Sequence, residues 1–169
     1  MIIAISGFTG SGKNTLGEML AKELGYRLVC PTFKDLAKEE GITLMEFQMK
    51  AAKDPDIDKK FDAVLKKQAT GNCVVTTWLG AWMVDADVRI RVFAPLKTRA
   101  ERIAKRDGMT LDEAMKHVKA RDDQNIKRYK KVYGIDIESD DVFDACLNAG
   151  IYKPEELKAI ALAIIEAKK

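Results

Sequence analysis

Gly7-Phe8-Thr9-Gly10-Ser11-Gly12-Lys13-Asn14-Thr15 is a glycine-rich turn set between an apolar β-branched run, Ile2-Ile3-Ala4-Ile5, and a segment with apolar residues at 16, 19, 20 and 24. The run before it reads as a buried strand and the segment after it as one face of a helix. Strand, glycine turn and helix together give such a turn physical meaning. Its glycines let the backbone curl so that successive N–H groups point into one hollow. The helix start adds its positive dipole end, and Lys13 adds a full charge. The product is a nest for the phosphates of a nucleoside triphosphate. Asn14 stands where a Ser or Thr hydroxyl ordinarily meets a magnesium ion.

Downstream, Tyr26 to Cys30 reads as a second strand, stopped by Pro31. From Thr32 to Thr70 the chain is helical, charged and thinly apolar, which describes an insert better than a core. A capping box at Thr43–Glu46 opens one of its helices, and Pro55 opens the last, which Gly71 stops. Strands are expected at 72–77, 87–93 and 142–147, and the apolar stretch 79–84 is expected to pack under the sheet edge. Helices are expected from Pro95 to Asp107, from the capping box Thr110–Glu113 to about Lys131, and from Pro154 onward. Alternating strands and helices imply a parallel sheet with right-handed crossovers and helices on both faces, a three-layer α/β domain. Ligands of such sheets sit at the carboxyl ends of the strands, where the glycine turn lies.

At 169 residues the chain is most simply one domain. Charged residues make up 33% of it but nearly cancel, leaving +3. Because the basic residues are interleaved with acids, nothing calls for nucleic acid as a partner. Cys30, Cys73 and Cys146 lie far apart, without the spacing of a zinc site or a disulfide framework. No charged leader precedes the first strand, and no apolar stretch is long enough to span a membrane. A cytoplasmic setting is expected, as a monomer or weak dimer.

Two arginine pairs stand out. Arg102 and Arg106 are one helical turn apart, and Arg121 and Arg128 are seven residues apart on one face, with Gln124 and Asn125 between them. Such groups can clamp phosphates and absorb the charge of a transferring phosphoryl group, or simply form a solvated basic stripe. The segments Arg102-Ile103-Ala104-Lys105-Arg106 and Arg121-Asp122-Asp123, with the run from Lys127 to Asp136, resemble the lid of the archaeal-type cytidylate kinases. These are short P-loop nucleoside monophosphate kinases related to adenylate kinase. The resemblance extends over nearly the whole chain.

It implies a P-loop kinase fold with a core at 1–31, 71–106 and 139–169. A helical monophosphate-binding insert would occupy about 32–70 and a helical lid about 107–138. Gly7, Thr9, Gly10, Ser11, Gly12, Lys13, Asn14 and Thr15 would hold the phosphates of the donor, ATP, with Arg102 beside them. Lys13, Arg106, Arg121 and Arg128 would be catalytic. The acceptor would be a nucleoside monophosphate, CMP or dCMP first, contacted by Lys34 and Trp78. Mg2+ would be met by Asn14. AMP or another small-molecule acceptor, or a regulatory nucleotide-binding protein with little transferase activity, are the alternatives.

The departures from the family pattern cluster around the metal and the acceptor. Asn14 replaces a hydroxyl, Thr76 stands where a carboxylate is expected, and Trp78, Lys34, Ala63 and Val64 occupy positions of arginines. Trp78 reads equally as a core aromatic near Trp82 or as a stacking surface for the acceptor base. His117 reads as a surface residue rather than a general base; Asp85 and Asp87 could serve the metal, though turn and strand-edge roles are commoner for such residues.

Overall fold

The computed structural model describes residues 1–43, 46–47, 50–51, 54 and 56–169, the side chains of Lys34, Asp35 and Asp58 excepted. Among the described residues, five strands form one parallel sheet in the order β2-β3-β1-β4-β5. They are β1 (Ile2–Ser6), β2 (Arg27–Val29), β3 (Cys73–Thr76), β4 (Val88–Phe93) and β5 (Ala145–Asn148). Central β1 is flanked on both sides, with Ile3 opposite Val74 of β3 and Val88 of β4. Its burial on both faces explains why the sequence there is a continuous apolar run rather than an alternation.

The side chains nonetheless alternate between two cores. Ile3 and Ile5 join Val74, Ile90 and Val92 against α1 (Lys13–Leu24) and the closing helix at 154–167. Ala4, Cys73 and Val75 face the other way, against Leu65, Ala69 and Val84. Ile3 and Ile5 are fully buried, and each contributes about 1.5–3 kcal/mol relative to exposure. The three layers expected from the sequence are therefore present.

Between β2 and β3 lie α2 (Phe33–Glu39) and α3 (Asp56–Gln68), with a small core made by Ala37, Phe47, Ala51 and Ile57. The capping box at Thr43 and Glu46 is formed in both directions. Pro55 lies outside the described residues. After β3 comes a short helix, α4 (Gly80–Met83). It packs beneath the centre of the sheet and not its edge: a Cβ on Gly80 would stand 3.2 Å from Val75 and 3.9 Å from Ala4. Two polar contacts hold it there, Ser6 Oγ accepting from the Ala81 N–H at 3.2 Å and the Ala81 carbonyl accepting from Arg89 at 3.0 Å.

α5 (Leu96–Asp107) and α6 (Leu111–Tyr133) pack together through Ala100, Ile103, Ala114 and Val118. Thr110 and Glu113 complete the capping box read from the sequence, and α6 runs two residues beyond Lys131 to Tyr133, where Gly134 caps it in the left-handed region. The last strand begins at Ala145, not Val142. Residues 140–143 form a turn, with the Phe143 N–H bonded to the Asp140 carbonyl. Asp144 then pairs with Arg89 by accepting its N–H on the side chain and donating its own N–H to the Arg89 carbonyl, and β5 follows from Ala145. α7 (Pro154–Ala167) closes the chain.

Candidate active site

The loop between β1 and α1 is shaped by close approach. A Cβ on Gly7 would stand 2.3 Å from the Val92 carbonyl oxygen, and one on Gly10 2.7 Å from that of Arg99. Gly10 and Gly12 also take φ of 74° and 98°, a region that side chains disfavour. Two arginines of α5 hold the loop's carbonyls. Arg102 donates to Gly10 O at 3.2 Å and Ser11 O at 3.0 Å, and to Ala149 O at 2.5 Å. Arg99 donates to Thr9 O at 3.0 Å and to Ala94 O at 3.0 Å. The oxygens that would repel an anion are thereby turned onto cations.

Arg99 is the functional residue that sequence reading missed. It forms a buried ion pair with Asp122 of α6 at 2.6 Å, both side chains being 9% exposed. The signal was available: Arg99, Arg102 and Arg106 follow one another at helical spacing, and an acid sits in the facing helix.

An open cleft of about 630 Å³ lies beside the loop, at the carboxyl ends of β2 and β3. Lys13 and Asn14 line it from α1, Thr76, Thr77 and Trp78 from the end of β3, and Phe61 and Asp62 from α3. From α6 come His117, Arg121, Gln124, Asn125, Arg128 and Tyr129. The fold thus brings Lys13, Asn14, Trp78, Arg121 and Arg128 together. Gly7, Thr9, Gly10, Ser11, Gly12 and Thr15 belong to the loop and first helical turn. The hydroxyls of Thr9 and Ser11 are buried without a hydrogen-bond partner, while Thr15 is exposed. Arg106 is 63% exposed and pairs with its neighbour Asp107 at 2.7 Å, outside the cleft lining. The side chain of Lys34 lies outside the described residues. His117 is exposed, as expected, yet it lines the cleft. Asp87 takes a strand-edge role, accepting the Ile2 N–H at 2.6 Å.

Trp78 and Trp82 have different neighbours. Trp82 meets Phe143 edge-on with ring centres 5.2 Å apart. Trp78 is half-buried between Phe8 of the loop, 5.4 Å away, and Tyr129 of α6, 6.4 Å away. The Lys13 ammonium lies 5.7 Å from the centre of the Trp78 ring. Burial lowers the Lys13 pKa to about 8, and the positive charges of Arg121 and Arg106 add to the effect. Cys30 and Asp122 oppose it in part. A lysine in this state gains strongly when a phosphate arrives, because the anion restores what burial took away.

Among the described residues, no group of three or more His, Cys, Asp or Glu could hold a metal ion. Beside Lys13 the cleft offers neutral hard oxygens instead, the Asn14 amide and the Thr76 hydroxyl, which is buried without a partner. Such donors fit a magnesium ion that rides on phosphates and keeps several waters.

The cytidylate kinase-like family matches residues 2–151. A cytidylate kinase of Ignicoccus hospitalis is 41% identical over 91% of this chain and 92% of its own length. One from Pyrococcus horikoshii is 39% identical over 98% of this chain and 88% of its own. Among solved structures, an uncharacterised protein of Eubacterium ventriosum superposes with a TM-score of 0.74 at 18% identity, covering 99% of both chains. A shikimate kinase of Acinetobacter baumannii, in complex with shikimate, gives 0.65 at 15% identity over 99% of this chain and 94% of that one. At those identities the likeness is one of fold. The sequence relatives go further, and the chain belongs to the cytidylate kinase-like family.

Proposed function

We propose that the protein is an ATP-dependent nucleoside monophosphate kinase, converting NMP and ATP to NDP and ADP, with CMP or dCMP as acceptor. The observation that carries this reading is the cleft itself: Lys13 on one wall, and Arg121 and Arg128 of α6 on another, around a space large enough for a nucleotide. The names of the relatives supply the acceptor. A regulatory protein that binds nucleotide without turning it over is not favoured beside relatives named as kinases.

In this reading the loop and Lys13 grip the donor phosphates. The donor base rests beyond Arg102, near the turn after β5 where Ile151 and Tyr152 are exposed. Residues 32–70 form the acceptor-binding insert, with Trp78 facing the acceptor and Lys34 assigned as a contact of its phosphate, and 107–138 form the lid. An oxygen of the acceptor phosphate attacks the γ-phosphorus in line as the bond to the β–γ bridging oxygen breaks. No covalent enzyme intermediate is needed, because positioning and neutralisation of charge carry the catalysis. Arg121 and Arg128 supply that neutralisation, and Arg106 leaves Asp107 to join them when the lid closes. Closure also expels water, which would otherwise take the phosphoryl group. Asn14 would hold a magnesium ion, which would supply positive charge to offset that developing on the phosphates.

The test is ADP release with CMP, dCMP, UMP, AMP and GMP in turn. CMP and dCMP should give the highest kcat/KM, and Lys13→Ala should abolish turnover. No acceptor-stimulated ADP formation with any of the five would overturn the proposal.

A further inference from the structure

Thr76 ends β3 with its side chain turned toward α1, since a Cβ at Gly17 would stand 2.1 Å from Thr76 Cγ2. The residue is 2% exposed, and its hydroxyl has no hydrogen-bond partner. A buried hydroxyl left unpaired is costly in a native fold and calls for a reason. Asn14 lies three residues before Gly17, hence on the same face of α1, and lines the cleft together with Thr76. Thr77, next along the chain, is also buried with its hydroxyl unpaired, but it turns that hydroxyl toward α4, 3.1 Å from where a Cβ of Gly80 would stand.

The carboxylates nearby are committed elsewhere. Asp62, which lines the cleft from α3, accepts the Tyr133 hydroxyl. Asp122 is paired with Arg99. The groups beside Lys13 are therefore an amide and a hydroxyl, both neutral, and among the described residues no cluster of acids stands ready for a free metal ion.

We infer that Asn14 and Thr76 form a neutral oxygen pair that receives the hydrated divalent cation carried in on the nucleoside triphosphate, and that the protein takes up this cation only together with the nucleotide. The inference rests on the donor role proposed for the glycine loop. Magnesium dehydrates reluctantly, so its retained waters arrive as hydrogen-bond donors. An amide oxygen and a hydroxyl can accept from them, and Thr76 then gains the partner that it lacks. The affinity for the cation comes from the phosphates, while the pair fixes where it sits.

Calorimetry separates the parts. Mn2+ is titrated into the nucleotide-free protein, and a non-hydrolysable ATP analogue is titrated in EDTA and again in magnesium. The wild-type protein should show no Mn2+ binding below millimolar concentrations, and magnesium should tighten the analogue. Thr76→Val keeps the shape of the side chain and should lose about tenfold of that tightening, the usual effect of removing an outer-shell partner. Thr77→Val should keep it. Thr76→Asp should confer Mn2+ binding on the nucleotide-free protein; if this buried charge prevents folding, the valine variant decides alone. Mn2+ binding by the nucleotide-free wild type, or full tightening in a folded Thr76→Val protein, would overturn the inference. An analogue that binds neither with nor without magnesium would overturn the donor reading, and this inference with it.

Discussion

Lys13 works against the fold that carries it. Burial and the charges of Arg121 and Arg106 hold its pKa near 8, against 10.5 for an ordinary lysine. Between those values the unfolded chain binds more protons than the folded one, so this residue's contribution to stability rises with pH across that window. Below pH 8 the charged form is carried at a cost. Lys13→Met should therefore melt at a higher temperature than the wild type at pH 7, and the gap should narrow as the pH approaches 10. Thermal melts of the nucleotide-free proteins check this. Affinity for the ATP analogue should weaken as pH rises through about 8, where the wild type loses its ammonium. Much of the site was legible at this scale, because Lys13 and the glycines are specified by spacing alone. Trp78 was not, because a lone aromatic at a strand end carries no sign of whether it faces a core or a cleft. Only the positions of Phe8 and Tyr129 settle that.

At the scale of elements, Arg99 joins three parts at once: α5, on which it sits, the loop carbonyl at Thr9, and α6 through Asp122. Removing one partner leaves the other as an uncompensated buried charge. Arg99→Ala or Asp122→Ala should each cost about 3–5 kcal/mol in a denaturant titration. The double variant Arg99→Met/Asp122→Leu should cost less than the sum of these, because it leaves no buried charge behind. It should still weaken binding of the ATP analogue, since the loop loses its tie at Thr9. Elements with strong local signals were legible, including both capping boxes, the helix from Pro95 to Asp107, and the buried β1 run. The last strand was placed early because Val142 and Phe143 look like strand residues. Nothing local shows that Asp144 will spend its carboxylate on Arg89. The position of α4 under the sheet centre was equally hidden, being set by strand order and not by its own residues.

For the molecule as a whole, α2 and α3 already touch the long helix α6 across the cleft. Tyr133 donates to Asp62, and the Arg128 guanidinium sits 5.3 Å from the centre of the Phe33 ring. A ligand that fills both ends of the cleft should order these helices together. A bisubstrate compound joining adenosine and cytidine through a polyphosphate should slow amide exchange in α2, α3 and α6 together. Exchange in β1, β3 and β4 should stay as it was, because those strands are already buried. Protection confined to α2 and α3, or to α6, would show that the two sides respond independently. The chain has two tryptophans, and the fold gives them separate duties. Trp82 is packed against Phe143, whereas Trp78 has the Lys13 ammonium near its ring. The protein thereby carries its own optical reporter. Arrival of a triphosphate draws that ammonium away and should alter the emission of Trp78. A Trp82→Phe protein should keep the nucleotide-dependent change, and a Trp78→Phe protein should be dark to it.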